Sequence, residues 1–283
     1  MPELPEVETV RGHLHSQIVG SLIVEITCSR PDLRYPLPVV ELTHLRGASI
    51  VAVLRRAKYL LLVTDAAVNK PIALVHLGMS GRLFVQHGAA EPWRKHEHWR
   101  WRLQSPTGEH QLRYVDARRF GLLDVASAGH DHRLLEHLGP EPLSPQFNAM
   151  TLLASIGNRS TPIKSTIMDA AVVVGVGNIY ASEACFRAEL DPLRPAREVT
   201  TAQAERLVAA IQEVLQQAIA AGGSTLRDFV GGDEAPGYFQ QQLDVYGRTA
   251  APCNRCACRG VAASIRRVVV GQRATFFCPA CQG

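Results

Sequence analysis

Residues 253–281, CNRCACRGVAASIRRVVVGQRATFFCPAC, hold five of the chain's seven cysteines, and they set the frame for everything upstream. Cys253 and Cys256 form one C-x2-C knuckle, Cys278 and Cys281 a second, with residues 257–277 between them. Four thiolates so spaced match tetrahedral zinc, and a closed four-sulfur site is structural because it leaves no coordination position for a reactant. Cys258 offers a competing sulfur, but C-x2-C gives the better knuckle geometry, so Cys253, Cys256, Cys278 and Cys281 are the expected ligands. The intervening span reads as a two-stranded ribbon carrying Arg259, Arg266, Arg267 and Arg273. Guanidinium groups on a metal-pinned hairpin suit phosphate contact, and a solvated basic face accounts for them equally well. Cys28 and Cys185 stand alone, so the distribution does not describe a disulfide framework and fits a reducing compartment.

Upstream of the finger, residues 200–223, TTAQAERLVAAIQEVLQQAIAAGG, read as the clearest helix. Thr200 and Gln203 can form a capping box, Leu207, Ile211, Val214, Leu215 and Ala218 make an apolar stripe, and Gly222 and Gly223 stop it. Shorter helices are expected around 148–156, 163–172 and 178–188. The Pro-rich stretch HLGPEPLSPQF, residues 137–147, reads as a linker where the pattern changes. Before it, residues 21–127 are strands. SLIVEITCS, SIVAVLRRAKYLLLVT, IALVHLGMSGRLFV and HWRWRLQSPTGEHQLRYV are rich in aliphatic and aromatic residues, and Pro106 to Gly108 suits a hairpin turn. Such spacing predicts a sandwich or flattened barrel. A short helix precedes it, with Pro5 at the first helical position and Val7, Val10 and Leu14 on one face. The class is therefore α+β and multidomain, with segments 1–135, 136–240 and 241–283.

Composition is that of a globular chain with real cores: 283 residues, 46% hydrophobic and 20% charged. The net charge of +4 permits a nucleic-acid partner without arguing for one. No run approaches the ~18 apolar residues of a membrane span, and the opening MPELPEVETV lacks a signal peptide's regions. A cytoplasmic location is expected.

Pro2 follows the initiator methionine, and so small a second residue favours removal of Met1. The exposed secondary amine resembles an α-amino group, which titrates near ~8, so it can attack an electrophilic carbon and form an iminium. Glu3 and Glu6 stand close by as proton carriers.

PELPEVETV resembles the amino terminus of the formamidopyrimidine-DNA glycosylase (Fpg, or MutM) family of bacterial type. The resemblance runs on in order through RRAKYLLL, HLGMSG, RYVDARRFG, LGPEPL, VVVGVGNIYASE, GGSTLRDFV, PGYFQQQL, VYGR and GQRATFFCPACQ, nearly the whole chain. It implies an N-terminal β-sandwich, a helix–two-turn–helix domain and a C-terminal zinc-finger β-hairpin, acting as a monomer on double-stranded damaged DNA. It implies one structural Zn2+ and no redox cofactor. The implied activity is bifunctional: excision of 8-oxoguanine opposite cytosine and of formamidopyrimidines, then β,δ-elimination. By the same resemblance Pro2 is the nucleophile, Glu3 the acid and base, Lys58 a phosphate contact that assists β-elimination, and Arg273 the finger arginine of δ-elimination. Met79, Arg118 and Phe120 match the residues that fill the gap left by the flipped nucleotide. Asn178, His96 and Arg159 match further DNA contacts, Lys164 is a further phosphate contact, and Tyr180 either shares the Asn178 contact or packs. The sequence departs from the family pattern in a longer inter-knuckle span, in Ala117 where proline is usual, and in Gln242 where an acid is common. An endonuclease VIII-like enzyme for oxidised pyrimidines is the nearest alternative, and an inactive zinc-finger DNA-binding relative the other. LPEVET with Met79, Arg118 and Phe120 favours the purine branch, and intact Pro2, Glu3 and Lys58 favour catalysis.

Overall fold

The computed structural model of the chain describes residues 2–66, 71–89, 91–126, 132–223 and 243–283. They fall into two units. Of the described residues, one takes 2–136 and 221–223; the other takes 137–220 and 243–283.

The first unit opens with α1 (Leu4–Ile18), which begins one residue earlier than Pro5 and buries Leu4, Val7, Val10, Leu14 and Ile18. Its polar side carries Glu8, whose carboxylate meets Arg11 at 2.6 Å and Arg55 at 2.8 Å. After β1 (Leu22–Cys28) and the short α2 (Val39–Thr43) come β2 (Ile50–Arg56) and β3 (Tyr59–Thr64). These two form a hairpin inside the stretch 49–64, with Arg56 opposite Tyr59 and Ala57 at φ 54° in the turn. β4 (Ile72–His76) and β5 (Arg82–His87) follow, then β6 (Glu97–Ser105), β7 (Gly108–Val115) and β8 (Leu122–Ala126). Ser105 pairs with Gly108, so the expected turn at Pro106 joins β6 to β7.

Two four-stranded antiparallel sheets result, ordered β1-β6-β7-β5 and β2-β3-β4-β8. They share one core with α1: Val53, Leu60, Leu62 and Val75 from one sheet, Trp99, Trp101, Leu103 and Leu112 from the other, and Val10 and Leu14 from the helix. Trp99 stacks on Tyr114 with ring centroids 5.1 Å apart. Each such fully buried aliphatic side chain contributes roughly 1.5–3 kcal/mol. The expected sandwich is present.

The second unit contains α3 (Ala149–Ile156), α4 (Ile163–Ile167), α5 (Asn178–Arg187) and α6 (Thr201–Ala220), then α7 (Asn254–Cys258) and the hairpin β9 (Arg266–Val270) and β10 (Arg273–Phe277). Asn148 caps α3 by accepting from Thr151 N–H at 3.1 Å. The Thr200–Gln203 capping box forms, with Gln203 Oε1 accepting from Thr200 N–H at 3.0 Å and Thr200 Oγ1 accepting from Gln203 N–H at 3.3 Å. α4 is shorter than the expected 163–172 because Asp169 turns its carboxylate back to accept from Ala171 N–H at 3.0 Å. The helices and the finger pack within this one unit. The buried Glu183 of α5 accepts hydrogen bonds from the backbone N–H groups of Asp244, Val245 and Tyr246 at 2.8–3.0 Å. No described helix is long and apolar enough to cross a membrane.

Candidate active site and nucleic-acid interface

Pro2 and Glu3 are both buried at the start of α1. Glu6, 1% exposed, accepts from the Glu3 backbone N–H at 2.8 Å, which fixes the residue next to the terminal proline. Gly223 lies against Glu6, so close that a Cβ there would stand 3.2 Å from both Cγ and Oε1. Lys58 projects from the β2–β3 turn. On β4, His76 packs against the Tyr59 ring at 4.9 Å, and its Nδ1 accepts from Gly78 N–H at 2.9 Å. Burial, then the positive charges of Lys58 and Arg34, push the His76 pKa down to about 4. The imidazole is therefore neutral with its hydrogen on Nε2. The positive charge of Lys58 and the neutral imidazole both favour an anion over a cation near this turn.

Two loops of the same unit, residues 77–81 and 116–121, carry Met79 and the Arg118–Phe120 pair. Phe120 is 45% exposed, and the Arg118 guanidinium lies 5.0 Å over its ring. The loops cross backbone to backbone: a Cβ on Gly78 would sit 2.4 Å from Gly121 N. His96, exposed and at φ 65°, stands at the turn into β6, where its carbonyl accepts from Asp116 N–H at 2.9 Å. An apolar tip beside a guanidinium, on rigid turns, can enter a base stack and reach a base edge.

In the second unit Asn178 opens α5, where backbone N–H groups favour an anion. Its Oδ1 accepts from Lys164 Nζ at 2.5 Å, and its Nδ2 donates to Ala274 O at 3.0 Å. Lys164 also donates to Ala274 O and Thr275 Oγ1, both at 3.0 Å, and is only 2% exposed. The exposed Arg273 begins β10 and, with Lys164, Met168 and Asp169, lines a cavity of about 200 Å³. Arg159 is paired with Asp169 at 2.6 Å.

The sulfurs of Cys253, Cys256, Cys278 and Cys281 all lie within 4.8 Å of one another. Cys253 and Cys281 are 3.9 Å apart, Cys256 and Cys278 3.7 Å. Tetrahedral zinc with Zn–S bonds of about 2.3 Å requires S···S separations of about 3.8 Å. The donor set fits. Cys258 is exposed on α7 and outside the group. Phe186, Val245, Ile265 and Phe276 pack around the cluster.

The family model for the formamidopyrimidine-DNA glycosylase N-terminal domain matches residues 1–123, and the one for that family's H2TH domain matches residues 138–230. The chain belongs to the formamidopyrimidine-DNA glycosylase family. It is 48% identical to the formamidopyrimidine-DNA glycosylase of Xanthomonas oryzae pv. oryzae, over 100% of both chains. Among solved structures it resembles MutM (Fpg) of Thermus thermophilus at 38% identity and a TM-score of 0.85, covering 100% of this chain and 99% of that one. It also resembles MutM in complex with DNA containing carbocyclic 8-oxo-G, at 32% identity and a TM-score of 0.86, covering 99% of each chain.

Several features of this glycosylase-family site lie outside the residues picked out by sequence. His76 opens the HLGMSG block, in which the sequence singles out Met79 alone. Asp116 sits inside RYVDARRFG, where the sequence singles out Ala117, Arg118 and Phe120. Two of the sequence-predicted residues are enclosed: Tyr180 is fully buried in α5, and Lys164 is 2% exposed and hydrogen-bonded to Asn178. Gln242 and most of GGSTLRDFV and PGYFQQQL lie outside the described residues.

Proposed function

We propose that this chain is a bifunctional DNA glycosylase and abasic-site lyase for oxidised purines, 8-oxoguanine opposite cytosine and formamidopyrimidines. The observation that carries the reading is the buried Pro2–Glu3 terminus, tied down through Glu6 at 2.8 Å at the head of α1. With Met1 removed, the neutral Pro2 nitrogen attacks C1′ of the flipped nucleotide as the base departs with a proton. Glu3 protonates the sugar ring oxygen, and the ring opens to an iminium. The iminium acidifies C2′; loss of that proton expels the 3′ phosphate, and a second elimination expels the 5′ phosphate. Each step moves protons and leaving groups only, so no redox cofactor enters.

Lys58 holds phosphate near the scissile bonds, supported by its place beside His76, and Arg273 grips the flanking phosphates. Asn178, Arg159 and His96 are further backbone contacts, while Met79, Arg118 and Phe120 fill the gap. Zinc held by Cys253, Cys256, Cys278 and Cys281 would supply rigidity to the hairpin that presents Arg273, and no step passes through it. On this reading residues 1–135, 136–240 and 241–283 are the catalytic, helical and finger segments of a cytosolic monomer.

Borohydride trapping with an 8-oxoguanine:cytosine duplex, followed by peptide mass mapping, tests the reading. A covalent adduct on Pro2 is expected. Absence of an adduct from zinc-loaded protein lacking Met1 overturns it, and an adduct formed only with an oxidised pyrimidine transfers the chain to the endonuclease VIII-like branch.

A further inference from the structure

Asp116 is fully buried, and its carboxylate faces four donors and no described cation. Oδ1 accepts from Ser80 Oγ at 2.6 Å and from Arg118 N–H at 3.2 Å. Oδ2 accepts from Gly121 N–H at 2.9 Å and from Tyr114 OH at 3.2 Å. Burial and the neighbouring Asp116 charge hold the Tyr114 phenol far above its ordinary pKa, so it remains a donor. The Ser80 hydroxyl adds a second link, accepting from Arg118 N–H at 3.3 Å. The main chain of Asp116 is tied as well, its N–H to His96 O at 2.9 Å and its carbonyl to His98 Nε2 at 2.7 Å. An ionised carboxylate withdrawn from water is tolerated only when its lone pairs are filled. Here they are filled from both loops that carry the gap-filling side chains.

We infer that Asp116 is a positioning residue that locks the Met79 loop to the Arg118–Phe120 loop, so that the three side chains enter the DNA stack as one element. The inference rests on the glycosylase reading above. Ser80 is the cross-loop link: its neighbour is Met79, and its hydroxyl is held by the carboxylate that also holds Arg118 and Gly121. Independent loops would sample the gap separately, and the orphaned cytosine would be met by an arginine without a fixed direction.

The test uses Ser80→Ala and Asp116→Asn in the full zinc-loaded chain. Single-turnover excision of 8-oxoguanine opposite cytosine is expected to fall about tenfold to a hundredfold, as expected when a positioning contact is loosened. Preference for cytosine over adenine opposite the lesion should narrow in parallel. Cleavage of a single-stranded abasic oligonucleotide has no stack to fill and should stay within about twofold of the parent. Combining Ser80→Ala with Met79→Ala should cost less than the product of the separate losses. Duplex excision at the parental rate overturns the inference, as does an equal fall in both reactions with a lowered melting temperature, which marks a purely structural role. Failure of the parent chain itself to trap any duplex is the distinct result that removes the glycosylase reading and this inference with it.

Discussion

The ammonium of Lys164 stands 2.5 Å from Oδ1 of Asn178, inside the fold, while Arg273 nearby is exposed. The two cations therefore act on DNA differently. On the proposed reading Arg273 contacts phosphate directly, so its removal should take one contact from the counterion-release term. Arg273→Ala is expected to lower the slope of log K against log salt by about one. Lys164→Met takes the Lys164 donor from Asn178 Oδ1 and Thr275 Oγ1 and leaves Ala274 O with the Asn178 Nδ2 donor alone, at a cost of about 1–3 kcal/mol in stability. It should weaken DNA binding with the salt slope unchanged. A slope reduced equally in both variants would show that Lys164 touches phosphate itself.

The cysteine cluster gives a prediction about metal content. With sulfurs 3.7–3.9 Å apart across Cys253–Cys281 and Cys256–Cys278, loss of any one ligand opens the tetrahedron. Cys278→Ser should reduce bound zinc to near zero and abolish tight duplex binding if, as proposed, the metal supplies the rigidity of the finger hairpin. Cys258→Ser should retain about one zinc per chain. Metal analysis of both variants checks this, and loss of zinc from Cys258→Ser would place that sulfur in the ligand set.

How legible the site was depends on whether a residue's role is local. The α6 cap at Thr200 and Gln203, the Pro106 turn and the two knuckles are settled by neighbours a few positions away, and all could be read from spacing. The hairpin turn at Ala57 and Lys58 could not, since RRAK holds no Gly, Pro, Asn or Asp, and Ala57 adopts φ 54° against its own preference. Past the end of α4 at Ile167, Asp169 Oδ1 accepts from Ala171 N–H within a turn, a side-chain-to-backbone bond that propensity does not register. His76 and Asp116 draw their character from strands and loops brought together by the sheets. Only the tertiary fold supplies the burial, the Lys58 charge and the converging donors.

His76 provides a pH signature. An unfolded imidazole titrates near 6.5, whereas the folded one does so at about 4. As pH falls below 6.5, the unfolded chain takes up a proton that the folded chain refuses. This group's contribution to stability is thus flat above 6.5 and lost progressively down to about 4, by up to about 3 kcal/mol. His76→Gln keeps an acceptor for Gly78 N–H and has no such titration. Urea midpoints of parent and variant should differ by a constant above neutrality and by a changing amount between pH 6.5 and 4.5. Parallel curves over that window would show that His76 titrates normally.

Gly222 and Gly223 separate a backbone effect from a contact effect at the amino-terminal site. Both have positive φ, 77° and 82°, so alanine at either costs about 1 kcal/mol in conformational strain. A Cβ on Gly222 meets nothing within 4 Å, but one on Gly223 meets Glu6 Cγ and Oε1 at 3.2 Å. Glu6 holds the backbone of Glu3, so pressure on its carboxylate is passed to the residue bonded to Pro2. Gly222→Ala and Gly223→Ala should lower the melting temperature similarly. Only Gly223→Ala should slow borohydride-trappable adduct formation, by about tenfold or more, as small displacements of a reacting group do. Equal trapping rates in the two variants would remove Glu6 from the positioning of Pro2. Equal losses in both would assign the effect to the backbone leaving α6 rather than to the Glu6 contact.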